Sequence, residues 1–231
     1  MSVEERQRQK VVVVIPAFRE EKHIGEVARA VRAEGFDLIV VDDGSADRTA
    51  KVAAQAGAIV IRHEQNLGKG IALNDGFEYA RNHGYEVVVT LDADGQHRPD
   101  EIRRFVEAYV RTGIPVLIGN RMADTRDMPL VRRWTNRFMS WWLSRLMGQY
   151  VPDTQCGFRL YRSDVIPYIE ASSERFAAES EILLHVARRG IRIGAVPIST
   201  VYGDERSKVN PLADTVRFFR MIRRYRSEKR I

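Results

Sequence analysis

Apolar residues recur along the chain in two registers. Short runs at Val11–Ile15, Asp37–Val41, Ile59–Ile61, Glu86–Leu91 and Pro115–Gly119 are dominated by Val, Ile and Leu and read as buried strands. Between them the apolar spacing lengthens to three and four residues, as at Ile24, Val27, Ala28 and Val31. This predicts helices over Glu20–Ala33, Ala46–Ala56, Ile71–Asn82 and Arg98–Arg111. Strands alternating with helices in this way imply a doubly wound, mostly parallel α/β sheet flanked by helices. Such sheets hold ligands outside the carboxyl ends of their strands, where strand order reverses. The acidic clusters fall at such ends: Asp42 and Asp43 after the second strand, Asp92 and Asp94 after the fourth. No internal repeat and no domain-separating linker interrupts the pattern.

Past residue 129 the character changes. Leu130–Met147 has helical spacing and holds all three tryptophans, Trp134, Trp141 and Trp142. On a helical wheel they share one arc with Phe138 and Leu146, while Arg133, Asn136, Arg137, Ser140 and Ser144 fill the opposite arc. Two readings follow. One is a core helix that buries the tryptophan arc; the other is an interfacial helix whose rings sit at headgroup level beside its arginines. Gly157–Arg162 then reads as a strand, Ala178–Arg189 as a helix and Ile191–Ile198 as a strand. Leu212–Arg226 closes the pattern as a basic amphipathic helix, with Leu212, Val216, Phe219 and Ile222 on one side and Arg217, Arg220 and Arg224 on another. It suits docking on the sheet, on anionic lipid, or on both.

Composition narrows the class. At 231 residues the chain is one sizeable domain, and its 44% apolar share with 16 Gly and 8 Pro excludes a disordered or collagen-like protein. A single cysteine, Cys156, excludes an intramolecular disulfide framework and a cysteine-cluster zinc site, and fits a reducing, cytoplasmic setting. The charged segment Met1–Lys10 is not followed by an apolar stretch of signal-peptide length, and no run approaches the roughly 20 apolar residues of a spanning helix. The net charge of +6 equals the charge of Arg217–Ile231 alone, and Arg132, Arg133, Arg137 and Arg145 form a second basic segment without an acid. Two basic segments on a neutral body describe a directed electrostatic surface, or a solvated tail.

Among chemistry-bearing residues, Asp92-Ala93-Asp94 is the sharpest signal. Residues i and i+2 at a strand end point the same way, and two carboxylates so close need a cation between or beside them. Mg2+ or Mn2+ bound by one or two carboxylates, with substrate phosphate oxygens completing the shell, fits that need. The competing reading is a solvated Asp-rich turn. Asp42-Asp43-Gly44-Ser45 with Asp47 can cap a helix, or an Asp there can accept from the edge of a nucleotide base. Asn66-Leu67-Gly68-Lys69-Gly70 is not a Walker A loop, because the stretch before Gly68 lacks the upstream glycine. No G-x-G-x-x-G follows the first strand, which argues against a dinucleotide dehydrogenase. His97 lies near the acidic pair; His23, His63, His83 and His185 read as ordinary surface or packing residues.

Taken in order, Pro16-Ala17-Phe18-Arg19-Glu20, Val41-Asp42-Asp43-Gly44-Ser45, Asn66-Leu67-Gly68-Lys69-Gly70 and Asp92-Ala93-Asp94-Gly95-Gln96-His97 resemble the motifs of family 2 glycosyltransferases. Within that family the chain is similar to the synthases of dolichyl- or polyprenyl-phosphate sugars, from about Val11 to about Phe219. The resemblance implies a GT-A fold over 11–210 between a charged tail, 1–10, and the basic helix, 211–231. It implies a nucleotide-sugar donor, an inverting transfer and a lipid-phosphate acceptor. Pro16, Phe18, Glu20, Val41, Asp43, Ala93 and Gln96 would then line the nucleotide sugar. Asp92 and Asp94 would hold the metal and diphosphate. Gly119-Asn120-Arg121 matches a Gly-x-Arg segment that brings Arg121 to a donor or acceptor phosphate, with Arg132 and Arg133 beside the latter. Ser207-Lys208 matches a pair on a closing loop where Lys208 meets the diphosphate, and Arg206 takes the place of an arginine just before it.

Asp153-Thr154-Gln155-Cys156-Gly157-Phe158-Arg159 is closer to the glucosyl branch than to the mannosyl branch, which leaves GDP-mannose and UDP-glucose both open. A lipid phosphate is already anionic near neutral pH and needs no protein base. A saccharide or protein hydroxyl would need one, and Glu179 and Glu181 are its candidates. The resemblance further implies peripheral association with the cytoplasmic face of a membrane, directly or through a membrane partner subunit. A nucleic-acid-binding module would share the basic tail, yet no recognised motif of that kind is present.

Overall fold

The computed structural model describes residues 11–126, 128–169 and 177–199; the charged tail 1–10, the helix expected over 212–226, Arg206 and Lys208 lie outside them. Inside the sheet, with a strand on either side, is β1 (Val11–Ala17), and residues Val11 to Ile15 are each no more than 2% exposed. Successive strand residues face opposite ways, so this continuous burial means that both faces of the sheet are covered. Each such side chain contributes about 1.5–3 kcal/mol on leaving water.

β1 pairs in parallel with β2 (Asp37–Asp42) on one side and β4 (Val87–Thr90) on the other, and β3 (Ile59–Arg62) extends the sheet beyond β2. With β5 (Val116–Asn120), β6 (Arg159–Arg162) and β7 (Ile193–Pro197), the order is β3-β2-β1-β4-β6-β5-β7. The chain turns from building outward through β2 and β3 to building outward through β4, so the switch point lies between the carboxyl ends of β1 and β4.

The sheet is parallel except at β6, which runs antiparallel to both neighbours, β4 and β5. Because β6 reverses direction twice over, β4 and β5 point the same way and their carboxyl ends share one edge. Flanking helices are α1 (Ile24–Ala33), α2 (Thr49–Gln55), α3 (Lys69–Asn82), α4 (Ile102–Thr112), α5 (Leu130–Met147) and α6 (Ala177–Arg188). Among their contacts, α3 packs on β1 and β2, α1 on α2, and α5 on α6. The helices expected from Glu20, Ala46 and Arg98 start later, at Ile24, Thr49 and Ile102, because turns and bends precede the first two and a 3-10 turn, Pro99–Glu101, precedes the third.

Helix α5 corrects the wheel. Its core-facing residues are Leu143 together with Asn136 and Ser140, the latter two from the arc expected to be polar. Trp134, Phe138 and Trp141 stand outward, 71%, 48% and 55% exposed, together with Leu130 and Val131 at 69% each. The reason lies in the loop that follows. Ser140 Oγ accepts from Thr154 N and pairs with Thr154 Oγ1, and Ser144 Oγ accepts from Val151 N, so small polar residues hold that loop against the helix. Trp142 and Leu146 leave the exposed arc and pack with Leu143 and Leu184.

Candidate active site

Three chain segments meet at the switch point. Asp42, the last residue of β2, and Asp43, in the turn after it, are both buried. Asp42 Oδ1 accepts from Ser45 N at 3.2 Å, and its Oδ2 lies 3.5 Å from Arg62 Nε. Asp43 accepts from Leu67 N at 2.7 Å and Gly68 N at 2.8 Å, and its Oδ1 is 2.8 Å from His63 Nδ1. The close approach of this turn to the 65–68 loop demands Gly44. With φ at +70°, a Cβ there would lie 2.3 Å from the Gln65 carbonyl carbon.

After β1, Arg19 N donates to Ser45 Oγ and Glu20 N to Thr49 Oγ1, which ties Phe18 and Glu20 to the start of α2. Pro16 lines a small cavity beneath Asp92. Val41, expected to line the nucleotide, is instead a core residue with no exposed surface, because its side chain packs toward Gly76 of α3. Ala93 is likewise buried.

After β4 comes the acidic pair. Asp92 Oδ1 is 2.5 Å from Lys69 Nζ, and the same ammonium is paired with Glu179 Oε1 of α6. His97 Nε2 is 3.4 Å from Asp92 Oδ2, and its other ring nitrogen is buried without a hydrogen-bond partner among the described residues. Burial would raise the Asp92 carboxyl, but Lys69 and His97 hold it well below the usual carboxylate range. Asp94 behaves oppositely: burial and the charge of Asp92 raise it, and Gln96 N donates to its Oδ1 at 3.0 Å.

Gly157 makes room for this arrangement. A Cβ on it would lie 2.5 and 2.7 Å from the two Asp92 carboxylate oxygens. The donor set suits a divalent cation shared with a diphosphate. Asp92 and Asp94, two carboxylates at one strand end, repel one another, and a cation relieves that repulsion. No cluster of three His, Cys, Asp or Glu able to hold a metal occurs among the described residues.

Arg121 departs from expectation. It is buried beside β5, and its fork closes on Asp153, with Nε to Oδ2 at 2.7 Å and Nη2 to Oδ1 at 2.9 Å. Burial would lower the guanidinium, but the charge and hydrogen bonds of Asp153 outweigh it and raise it. Glu179 is also not presented as an unpaired base, since its carboxylate meets Lys69 and its own carbonyl accepts from Arg159 Nη1.

A larger cavity of about 720 Å3 opens beside α5, lined among others by Asn120, Arg133, Arg137, Trp141, Arg145 and Tyr150. Arg132 lies outside that lining. Thr90 and Ile118 both pair with Arg159 across β6, so Asp92 and Asn120, each two residues further on, are level with one another. Two interstrand steps separate them, about 10 Å. The acidic pair and the arginine-lined cavity therefore share one edge of the sheet.

Sequence reasoning missed Lys69, Arg159 and His63 as supports of this site. The signal for Lys69 was its motif, Asn66–Gly70, and for Arg159 the run Gly157-Phe158-Arg159. Arg159 is a fully enclosed cation satisfied by the carbonyls of Thr154, Cys156 and Glu179. His63 had no sequence signal, because its partners Asp43 and Asp75 come from distant segments.

Comparison with known proteins agrees with this architecture. Residues 12–168 match the glycosyl transferase family 2 domain. The chain belongs to glycosyl transferase family 2 and is an enzyme of the glycosyltransferase class. It is 31% identical over 215 residues to the UDP-N-acetylglucosamine–dolichyl-phosphate N-acetylglucosaminyltransferase of Methanococcus voltae, covering 83% of this chain and 86% of that protein. It is 28% identical over 208 residues to the polyprenol monophosphomannose synthase of Mycolicibacterium smegmatis, covering 84% and 78% respectively. Glucosyl-3-phosphoglycerate synthase from Mycobacterium tuberculosis, solved with Mn2+, uridine diphosphate and phosphoglyceric acid, shares the fold. Its TM-score is 0.71 at 21% identity, over 94% of this chain and 77% of that one.

Proposed function

We propose that this enzyme transfers a hexose, with inversion, from a nucleotide diphosphate sugar to a polyprenyl-type lipid phosphate at the cytoplasmic face of a membrane. The observation that carries the reading is the juxtaposition of the Asp92–Asp94 pair with an arginine-lined cavity at the same sheet edge, beside an outward tryptophan face on α5. The relatives named for dolichyl-phosphate and polyprenol-phosphate chemistry support it. No helix among the described residues is long and apolar enough to cross a membrane, so α5 would meet the lipid from the surface.

In this reading Pro16, Phe18, Glu20, Gln96 and the backbones of Val41 and Ala93 line the donor, with Asp43 toward the base. Asp94 and Asp92 would hold Mg2+ or Mn2+, which when bound supplies positive charge against the departing diphosphate. Arg206 and Lys208, following β7, would close on the same diphosphate. Arg133 and Arg137 hold the acceptor phosphate, with Arg132 nearby and the charge of Arg121 fixed behind them. The bond formed joins a phosphate oxygen to the anomeric carbon. The bond broken joins that carbon to the donor diphosphate, which leaves with the electron pair. With a second pKa of about 6, the acceptor phosphate needs no proton removed.

The donor is GDP-mannose or UDP-glucose, to which the Methanococcus relative adds UDP-N-acetylglucosamine. The test is a lipid-extraction assay with Mn2+ and undecaprenyl phosphate, one donor per tube, read by mass spectrometry of the organic phase. A glycosyl-phosphoryl lipid in one tube is expected and names the donor. Its absence from all three, with the protein folded and binding nucleotide, would contradict the proposed acceptor.

A further inference from the structure

His63 follows the last residue of β3, and its side chain is only 8% exposed. Each ring nitrogen faces a carboxylate. Nδ1 is 2.8 Å from Asp43 Oδ1, at the turn after β2, and Nε2 is 2.8 Å from Asp75 Oδ2, on α3. A neutral imidazole has one N–H and would turn its bare nitrogen on carboxylate lone pairs; only the imidazolium donates to both. The adjacent Arg62 turns away, toward Asp42 and the Ser45 carbonyl. Asp43 in turn receives Leu67 N and Gly68 N, the two amides just before Lys69. His63, Asp43 and the 65–68 loop thus form one unit, and it ends at the ammonium that meets Asp92.

We propose that His63, as an imidazolium, is a positioning residue for the donor: it fixes the direction of the Asp43 carboxylate and the loop leading to Lys69, so that nucleotide affinity follows its protonation. The inference rests on the reading that the nucleotide base lies at Asp43. Burial alone would lower the imidazole, but the hydrogen bonds and charges of Asp43 and Asp75 outweigh it and raise it. Affinity is therefore full at and below the ordinary histidine range and falls as pH rises beyond it. Once the proton is lost, Asp43 and Asp75 face one another across a ring that can serve only one of them.

The test is binding of UDP and GDP with Mn2+ by calorimetry from pH 6 to pH 9, in wild type, His63→Gln and Asp75→Asn, with donor KM and kcat measured alongside. In wild type the Kd should rise severalfold as pH increases. Asp75→Asn should move that rise to lower pH, because one of the two raising charges is gone. His63→Gln should bind about tenfold more weakly at pH 6.5 and lose the pH dependence. The effect should fall on donor KM, with kcat at saturation maintained. An unmoved inflection in Asp75→Asn, or wild-type affinity and pH dependence in His63→Gln, would overturn the inference alone. Absence of nucleotide binding to the wild-type protein at every pH would overturn the donor reading and the inference with it.

Discussion

One ammonium, that of Lys69, joins the end of β4 to α6: its Nζ lies 2.5 Å from Asp92 Oδ1 and is paired also with Glu179. Burial alone would lower Lys69, and its two carboxylates reverse that and raise it. Replacing Lys69 by Met leaves two carboxylates facing each other with no cation between them. The expected cost is about 2–3 kcal/mol, below the range for fully buried pairs because Lys69 and Asp92 each keep 28% of their side-chain surface exposed. Urea denaturation at pH 7 should register that loss, and adding Glu179→Gln should recover part of it. An unchanged unfolding midpoint in Lys69→Met would show that the triad does not hold these elements together.

The two aspartates of the acidic pair should respond differently to neutralisation. Asp94 is raised by burial and by its neighbour, so its charge opposes folding, and Asp94→Asn should leave stability unchanged or slightly higher. Asp92 is held down by Lys69 and His97, so Asp92→Asn should destabilise the fold by about 1–3 kcal/mol. Both should abolish sugar transfer and metal-dependent nucleotide binding. Equal stabilities would contradict the unequal pairing of the two carboxylates, and full transfer by either variant would contradict the proposed metal site.

Gly157→Ala tests the geometry without touching a charge. Its Cβ would lie 2.5 Å from an Asp92 carboxylate oxygen, so the carboxylate must move. A displacement of about 1 Å near a reacting centre costs on the order of 100-fold in rate, and overpacking costs about 1–3 kcal/mol. The expected variant is folded, melts a few degrees lower and turns over about 100-fold more slowly. Near-normal turnover would mean that the position of Asp92 is not critical.

Much of this arrangement was legible in the sequence, and the exceptions share a cause. The run Val11–Ile15 announced a buried strand because burial on both faces admits no polar position. The motifs at Asp43 and Asp92 fell where strands end, and a parallel sheet gathers such ends on one edge. The reversal of β6 was not legible, because its direction is set by pairing Thr90 and Ile118 with Arg159 from far along the chain. The facing of α5 was hidden for a similar reason. Ser140 and Asn136 look like solvent residues until Thr154 folds back onto Ser140. Arg121 read as an anion-binding fork, and only the fold brings Asp153 against it.

Helix α5 separates two contributions to acceptor binding. Arg133→Gln with Arg137→Gln should raise the KM for the lipid phosphate by roughly 10- to 100-fold, the range for losing charge-assisted hydrogen bonds, and leave nucleotide binding unchanged. Trp134→Ser with Trp141→Ser should instead weaken sedimentation with anionic vesicles, since both rings stand outward. Vesicle binding unaffected by the tryptophan pair would assign the exposed face of α5 to something other than a bilayer.

The central claim is that the attacking group is a lipid phosphate, and competition between matched acceptors tests it most directly. Undecaprenyl phosphate, undecaprenol and a soluble oligosaccharide would be offered together with the active donor and Mn2+, and all products quantified by mass spectrometry. The account predicts transfer to the phosphate alone, because the site supplies arginines for an anion, and Glu179, a candidate base for a hydroxyl, is already engaged by Lys69. Transfer to the oligosaccharide or to undecaprenol, with the phosphate untouched, would contradict it.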